Sequence, residues 1–114
     1  MVADTLVVAV AGEVDMDTAP QLAAAILDCI DQAGGGPCVL DLTAVTFLDS
    51  IGLTVLLQAT RRAEGHHEPL PIVVDSNRPV IRPIEVTGLD EVLTLYHTVE
   101  EALAARQVGP DDPV

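Results

Sequence analysis

The sequence predicts an α/β fold, a mostly parallel sheet of four to five strands with about four helices against it. Three observations point there. Short β-branched, aliphatic runs alternate along the chain with segments whose apolar residues recur at helical spacing. Gly, Pro or short polar side chains punctuate nearly every junction. The 114 residues, 49% of them hydrophobic, suffice for one domain with a buried core. Strands alternating with helices favour parallel pairing and right-handed crossovers. The domain is expected over 1–108, with a frayed tail over 109–114.

"TLVVAVAG" (5–12) is the first strand and ends at Gly12, after which "EVDMD" is a polar turn. Thr18 stands three residues before Gln21, the spacing of a capping box, and Pro20 is tolerated in a first helical turn. Ala19, Leu22, Ala23, Ile26 and Ile30 then mark one helix face, which "GGGP" (34–37) stops. "CVLDLT" (38–43) is the second strand, interrupted by Asp41. A helix over 51–64 closes with Arg61 and Arg62, where cations suit the dipole. "EGHHEP" is a turn and "LPIVVD" (70–75) the third strand. Ser76-Asn77 offers an N-cap for a short helix running to Gly88, in which Pro83 removes one backbone bond. "VLTLY" (92–96) is the fourth strand, and Thr98 with Glu101 forms a second capping box for a last helix reaching about Arg106.

The charge narrows the partners. Eighteen acidic residues against five basic ones give −13, a surface that repels nucleic acid and anionic membranes. Phe47 and Tyr96 are the only aromatics, so the core is aliphatic and no base-stacking platform exists. No run reaches the ~20 apolar residues of a membrane helix, and no basic segment opens the chain as in a signal peptide; a cytoplasmic protein is expected. Cys29 and Cys38 match no metal spacing and read as small buried hydrophobes rather than a disulfide. They flank one helix-to-strand turn, which makes them the redox candidates.

Chemistry-bearing motifs are scarce. Ser50 sits at a strand-to-helix junction, but Asp-Ser-Ile-Gly lacks the flanking glycines of a nucleophile elbow. His66, His67 and His97 fall in loops or strand ends with no spacing that asks for Ser50. The triple glycine follows a helix instead of preceding one, and the chain has no lysine, so no phosphate-binding loop is present. Neither an enzyme, a cofactor nor a metal site is expected. Acidic residues are numerous enough that Asp15, Asp17, Asp41 and Asp49 need no shared site.

What remains is "TFLDSIGLTV" (46–55), where Asp49-Ser50 separates two stretches that both suit burial. With "GEVDMDTAPQL" (12–22), "CVLDLTAVTFLDSIGLTVLL" (38–57) and "TGLDEVLTLYHTVEEAL" (87–103), this resembles the STAS domain of bacterial anti-sigma factor antagonists, in order and spacing and over nearly the whole chain. Asp-Ser-x-Gly-Leu after a strand is specific when the Gly-Glu-Val-Asp turn accompanies it. The resemblance implies a STAS-like fold and a cytoplasmic switch in stress-response transcription regulation. Its partner would be an anti-sigma factor, a serine kinase of the histidine-kinase-like ATPase class, whose capture frees a sigma factor. It also implies that the kinase phosphorylates a hydroxyl residue of this loop, ending the complex.

On that resemblance the partner-binding residues are Asp15, Asp49, Ser50, Ile51, Gly52 and Leu53. Family members commonly carry two hydroxyl residues between the Asp and the Gly, the second being the best-known acceptor. Here that place is Ile51, leaving Ser50 as the phosphorylation candidate, with a cap of the following helix as its other role. The family usually opens with a strand beside the one at 5–12, where only "MVAD" precedes it here. That strand is therefore very short or absent; an exposed edge would leave self-association open, though it is not predicted. The rival functions are a STAS-type ligand-sensing or scaffold module and a small hydrolase using Ser50.

Overall fold

A computed structural model describes residues 6–33, 38–65 and 70–107. The expected pairing strand ahead of residue 5, the glycine stop at 34–37, His66-His67 and the 109–114 tail lie outside the described residues. The elements are β1 (Leu6–Val14), α1 (Ala19–Ala33), β2 (Cys38–Leu48), α2 (Ser50–Gly65), β3 (Pro71–Val73), α3 (Arg78–Val86), a 3-10 turn (Leu89–Glu91), β4 (Thr94–Tyr96) and α4 (Val99–Gln107). The strands lie in sequence order, β1-β2-β3-β4, and every neighbouring pair is parallel.

Side-chain alternation along the strands divides the core in two. Leu40, Leu42, Ile72 and Val74 point to one face and pack with Leu22 and Ile26 of α1, Leu53 and Leu56 of α2, and Val80 and Ile84 of α3. Val39 and Val73, one residue out of phase, meet Ala102 of α4 on the other face. Three helices thus cover one side of the sheet and a single short helix covers part of the other. Along β1 the outward residues stay open to solvent, Val7 at 47%.

Two departures from the sequence reading shape the functional end of the sheet. The first strand does not stop at Gly12. It continues to Val14 because Gly12 adopts φ +87° at a register shift, a conformation glycine takes without a Cβ penalty. The second strand does not end at Thr43 but runs to Leu48, its 11 residues set against the nine of β1. Two extra β2 residues are absorbed at irregularities opposite Ala9/Ala11 and Gly12/Glu13.

Polar side chains hold those bulges. Asp41 Oδ1 accepts the Thr43 amide at 3.0 Å and the Thr43 hydroxyl at 2.8 Å, so the carboxylate that interrupts the apolar run is the clamp of the first bulge. Strand β3 pairs with β2 only at Leu40 and Asp41. Beyond that point the Asn77 side-chain amide donates to Leu42 O (2.9 Å) and Val45 O (2.7 Å). Asn77 occupies the N-cap of α3 as expected, yet its side chain makes no capping bond, because it serves β2 instead.

The capping boxes divide as well. Thr98 Oγ1 accepts the Glu101 amide at 3.0 Å, while Glu101 Oε1 accepts the amide of His97 at 2.8 Å, which starts α4. Thr18 makes no such box with Gln21. Its hydroxyl accepts the Asp15 amide at 2.9 Å and donates backward to Glu13 O at 2.9 Å, so it closes the β1–α1 turn. Pro83 stands inside α3, which lasts nine residues, as its missing N–H led one to expect. The last strand starts at Thr94, not Val92, because the 3-10 turn takes up the preceding residues.

Candidate functional site

The carboxyl ends of β1 and β2 lie side by side, with Val14 paired to Leu48. The turn after β1 and the first turn of α2 meet there, joined by the Asp49 amide donating to Val14 O at 3.2 Å. This corner contains all six residues singled out for partner binding.

Asp49 is the N-cap of α2. Its Oδ1 accepts the amides of Ile51 and Gly52, both at 3.0 Å, satisfying two of the donors a helix start leaves unpaired. With both backbone and carboxylate so engaged, Asp49 is half-buried. The capping role open to Ser50 is therefore filled by its neighbour. Ser50 opens the helix, is exposed, and among the described residues its hydroxyl makes no hydrogen bond; its carbonyl accepts the Thr54 hydroxyl at 3.0 Å.

Ile51 stands in the first turn of α2 with 42% of its surface exposed, an unusual place for a large aliphatic side chain. The next two residues turn inward. Leu53 is buried in the core, and Gly52 is buried where a Cβ would stand 2.5 Å from Leu48 Cδ1 and 2.8 Å from Val14 Cγ1. These two shape the corner from beneath and offer a partner little or no surface. The helix start rests so closely on the strand ends that any Cβ here would push the Leu48 and Val14 side chains aside.

Asp15 organises the opposite wall. Its Oδ1 accepts the Asp17 amide at 2.9 Å and the Thr18 amide at 3.2 Å, fixing the turn. That turn carries Met16, 67% exposed, and β2 carries Phe47, 48% exposed and paired in register with Glu13. Neither was singled out in the sequence. Met16 amid acidic residues, and the only phenylalanine placed just before the Asp-Ser junction, were the available signals. Met16, Phe47 and Ile51 thus put three exposed apolar side chains at one end of the sheet, among the carboxylates of Glu13, Asp15, Asp17 and Asp49.

Among the described residues no hydrolytic machinery assembles here. His97 lies after β4, two strands from β2, with its Nδ1 3.6 Å from Glu101 Oε1. Among the described residues no group of His, Cys, Asp and Glu could hold a metal ion, and no helix is long and apolar enough to cross a membrane. Cys29 and Cys38 sit far from the corner along their elements, near the end of α1 and at the start of β2, both buried.

Comparisons with known proteins place nearly the whole chain among relatives. Residues 1–96 match the family model described as Mlab, STAS domain. The anti-sigma-F factor antagonist RsfB of Mycobacterium tuberculosis is 34% identical over 106 residues, covering 93% of this chain and 84% of that protein. The anti-sigma-B factor antagonist of Listeria monocytogenes is 33% identical over 98 residues, covering 86% and 84%. Among solved structures, the crystal structure of an anti-sigma factor antagonist from Mycobacterium paratuberculosis superposes with a TM-score of 0.77 at 38% identity, over 87% of this chain and 82% of that one.

Proposed function

The chain belongs to the STAS-domain family, and on that footing we propose that it is an anti-sigma factor antagonist of the cytoplasm. Its partner is an anti-sigma factor of the serine-kinase type, built on a histidine-kinase-like ATPase domain, and binding releases a sigma factor to transcription. The chain itself touches neither nucleic acid nor membrane and uses no cofactor.

One observation carries the reading: the Asp49–Ile51 corner faces outward, with its capping need met internally. Because Asp49 already satisfies the helix start, Ser50 and Ile51 are left for a partner. Fully burying an isoleucine contributes about 1.5–3 kcal/mol, so covering the exposed part of Ile51 supplies roughly 1 kcal/mol. Met16 and Phe47 are exposed at the same end of the sheet, and the carboxylates there suit a partner with a basic rim.

The same corner explains how a phosphate would act. On Ser50 it would add about −1.5 to −2 charges next to Asp49 and among the acidic side chains of the turn. An anion is welcome at a helix N-terminus, but here the Asp49 carboxylate already occupies two of the amides. Repulsion and desolvation inside a docked interface therefore dominate, and the complex weakens. With Ile51 in the second hydroxyl position, Ser50 is the single candidate acceptor of the Asp49–Gly52 segment, and we expect binding to proceed without a phosphate adduct.

The test mixes the protein with a kinase-type anti-sigma factor from its own cytoplasm and ATP, then reads complex formation by gel filtration and the mass of this chain. A complex with unmodified protein is expected. Absence of any complex overturns the antagonist reading, and a phosphate on Ser50 overturns the phosphate-independent part. A ligand-sensing module is the second reading, favoured by a groove of about 280 Å³ between β1 and α1, lined by Val8, Val10, Leu22 and Ala25 among others. Thermal stabilisation by small apolar ligands, with no anti-sigma partner, would select it.

A further inference from the structure

The structure brings two thiols together at the end of β2 remote from the corner. Cys29 lies one turn before the end of α1, and Cys38 is the first residue of β2. Their sulfurs stand 2.7 Å apart, both side chains buried in the main core. Packed carbon atoms are most stable about 3.5–4.0 Å apart, and sulfur is the larger atom. The pair is thus already closer than simple packing places two such groups, and within about 0.7 Å of the roughly 2.05 Å bond of a disulfide. Two thiols chosen only to fill space have no need to face one another.

We propose that Cys29 and Cys38 form a reversible oxidation site, closed to an intramolecular disulfide by exchange with a low-molecular-weight disulfide. One cysteine, as its thiolate, attacks a sulfur of the small disulfide. A protein–small-molecule S–S bond forms, the original S–S bond breaks, and the first small thiol leaves with the proton the protein gave up. The second cysteine then attacks the modified protein sulfur, forming the Cys29–Cys38 bond and expelling the second small thiol with its own proton. Each protein sulfur loses one electron and each sulfur of the reagent gains one, so two thiols and one disulfide become one protein disulfide and two small thiols.

The surroundings set the speed and the reagent. Burial, reinforced by the Cys29 thiol beside it, pushes Cys38 up to about 12. At neutral pH it is almost wholly protonated, and thiolate is the reactive form. Exchange in the folded protein is therefore slow and accelerates with pH. The −13 charge disfavours anionic oxidants, so a small neutral reagent reaches the site best. Once formed, the bond ties the last turn of α1 to the start of β2 around a short glycine-rich connection, leaving the Asp49–Ser50 corner at the other end of β2 untouched. The proposal does not depend on the partner-binding reading.

The experiment equilibrates the intact protein with bis(2-hydroxyethyl) disulfide and its thiol, in buffer and in denaturing urea. Acid quenching, alkylation and intact mass then count the closed form. A monomer lighter by two hydrogen atoms that takes up no alkylating agent is expected. Its effective concentration in buffer should exceed that in urea by about a hundredfold, the loop-closure advantage of a connection this short. The rate should rise by up to about tenfold per pH unit above neutrality. Cys38→Ala should instead stop at the mixed disulfide on Cys29. Two alkylated thiols at equilibrium, chains joined covalently to one another, or a buffer-to-urea ratio of one or below would each overturn the proposal.

Discussion

Replacing Gly52 by alanine probes how closely α2 sits on the strand ends. The added Cβ would meet Leu48 Cδ1 at 2.5 Å and Val14 Cγ1 at 2.8 Å, where ordinary contact begins at 3.4 Å. Relief requires movements of about 0.9 and 0.6 Å by two core side chains that are 5% and 1% exposed. Overpacking of this kind costs about 1–3 kcal/mol. Alanine recovers at most about 1 kcal/mol of helix propensity, so the net loss centres on about 1 kcal/mol and reaches about 2 kcal/mol. Gly65, at the far end of the same helix, has nothing within 4 Å of its virtual Cβ, and Gly65→Ala should be neutral or stabilising by up to about 1 kcal/mol. Urea unfolding followed by far-ultraviolet circular dichroism suits a chain without tryptophan. With a slope of about 1–1.5 kcal/mol per molar urea, a net loss of about 1 kcal/mol places the Gly52→Ala midpoint about 0.7–1 M below that of wild type, with Gly65→Ala at wild type or above it. Gly52→Ala equal in stability to wild type, or above it, would refute the close approach.

Further perturbations test the neighbouring supports. Asp49→Ala removes the α2 cap and should cost about 1 kcal/mol, whereas Asp49→Asn keeps an accepting oxygen and most of the stability; equal midpoints for wild type and the alanine variant would contradict the cap. Asn77→Ala strips Leu42 O and Val45 O of their donor and should cost about 1–3 kcal/mol in urea unfolding, with Asn77→Asp no better because a carboxylate cannot donate. The Cys38 thiol, raised from an ordinary 9.0 to about 12, contributes stability that is complete below pH 9 and is lost as pH climbs toward 12. The loss is at most about 1.4 kcal/mol per pH unit. Cys38→Ala should flatten that part of the stability–pH curve, and an unchanged slope would argue against the buried thiol.

The alternation of strands and helices was plain in the sequence because it depends on local periodicity, and all four strands and four helices lie where their apolar runs are. What escaped was the length of β1 and β2. Gly12 reads as a terminator, and only its pairing with β2 reveals it as a bulge. Asp41 reads as an interruption, and only its bonds to Thr43 show it clamping one. Asn77 has the sequence context of a helix cap, while its amide serves carbonyls 32 and 35 residues away. The corner itself was legible through Asp49-Ser50, since capping is a short-range signal. Which of Ile51, Gly52 and Leu53 faces solvent was not, because that depends on how α2 sits on Val14 and Leu48. For Met16 and Phe47 the sequence carried only weak signals, for the same reason: exposure of an apolar side chain is decided by what fails to cover it.

The most direct test is the dissociation constant for a kinase-type anti-sigma factor, measured by calorimetry for wild type, Ile51→Glu and Val92→Glu. Both isoleucine and valine are exposed, at 42% and 47%, but Val92 follows the 3-10 turn before β4, away from the corner. If α2 docks through its first turn, Ile51→Glu weakens binding by at least about thirtyfold and Val92→Glu by less than about threefold. Unimpaired binding by Ile51→Glu, or a greater loss from Val92→Glu, would place the partner elsewhere on the molecule.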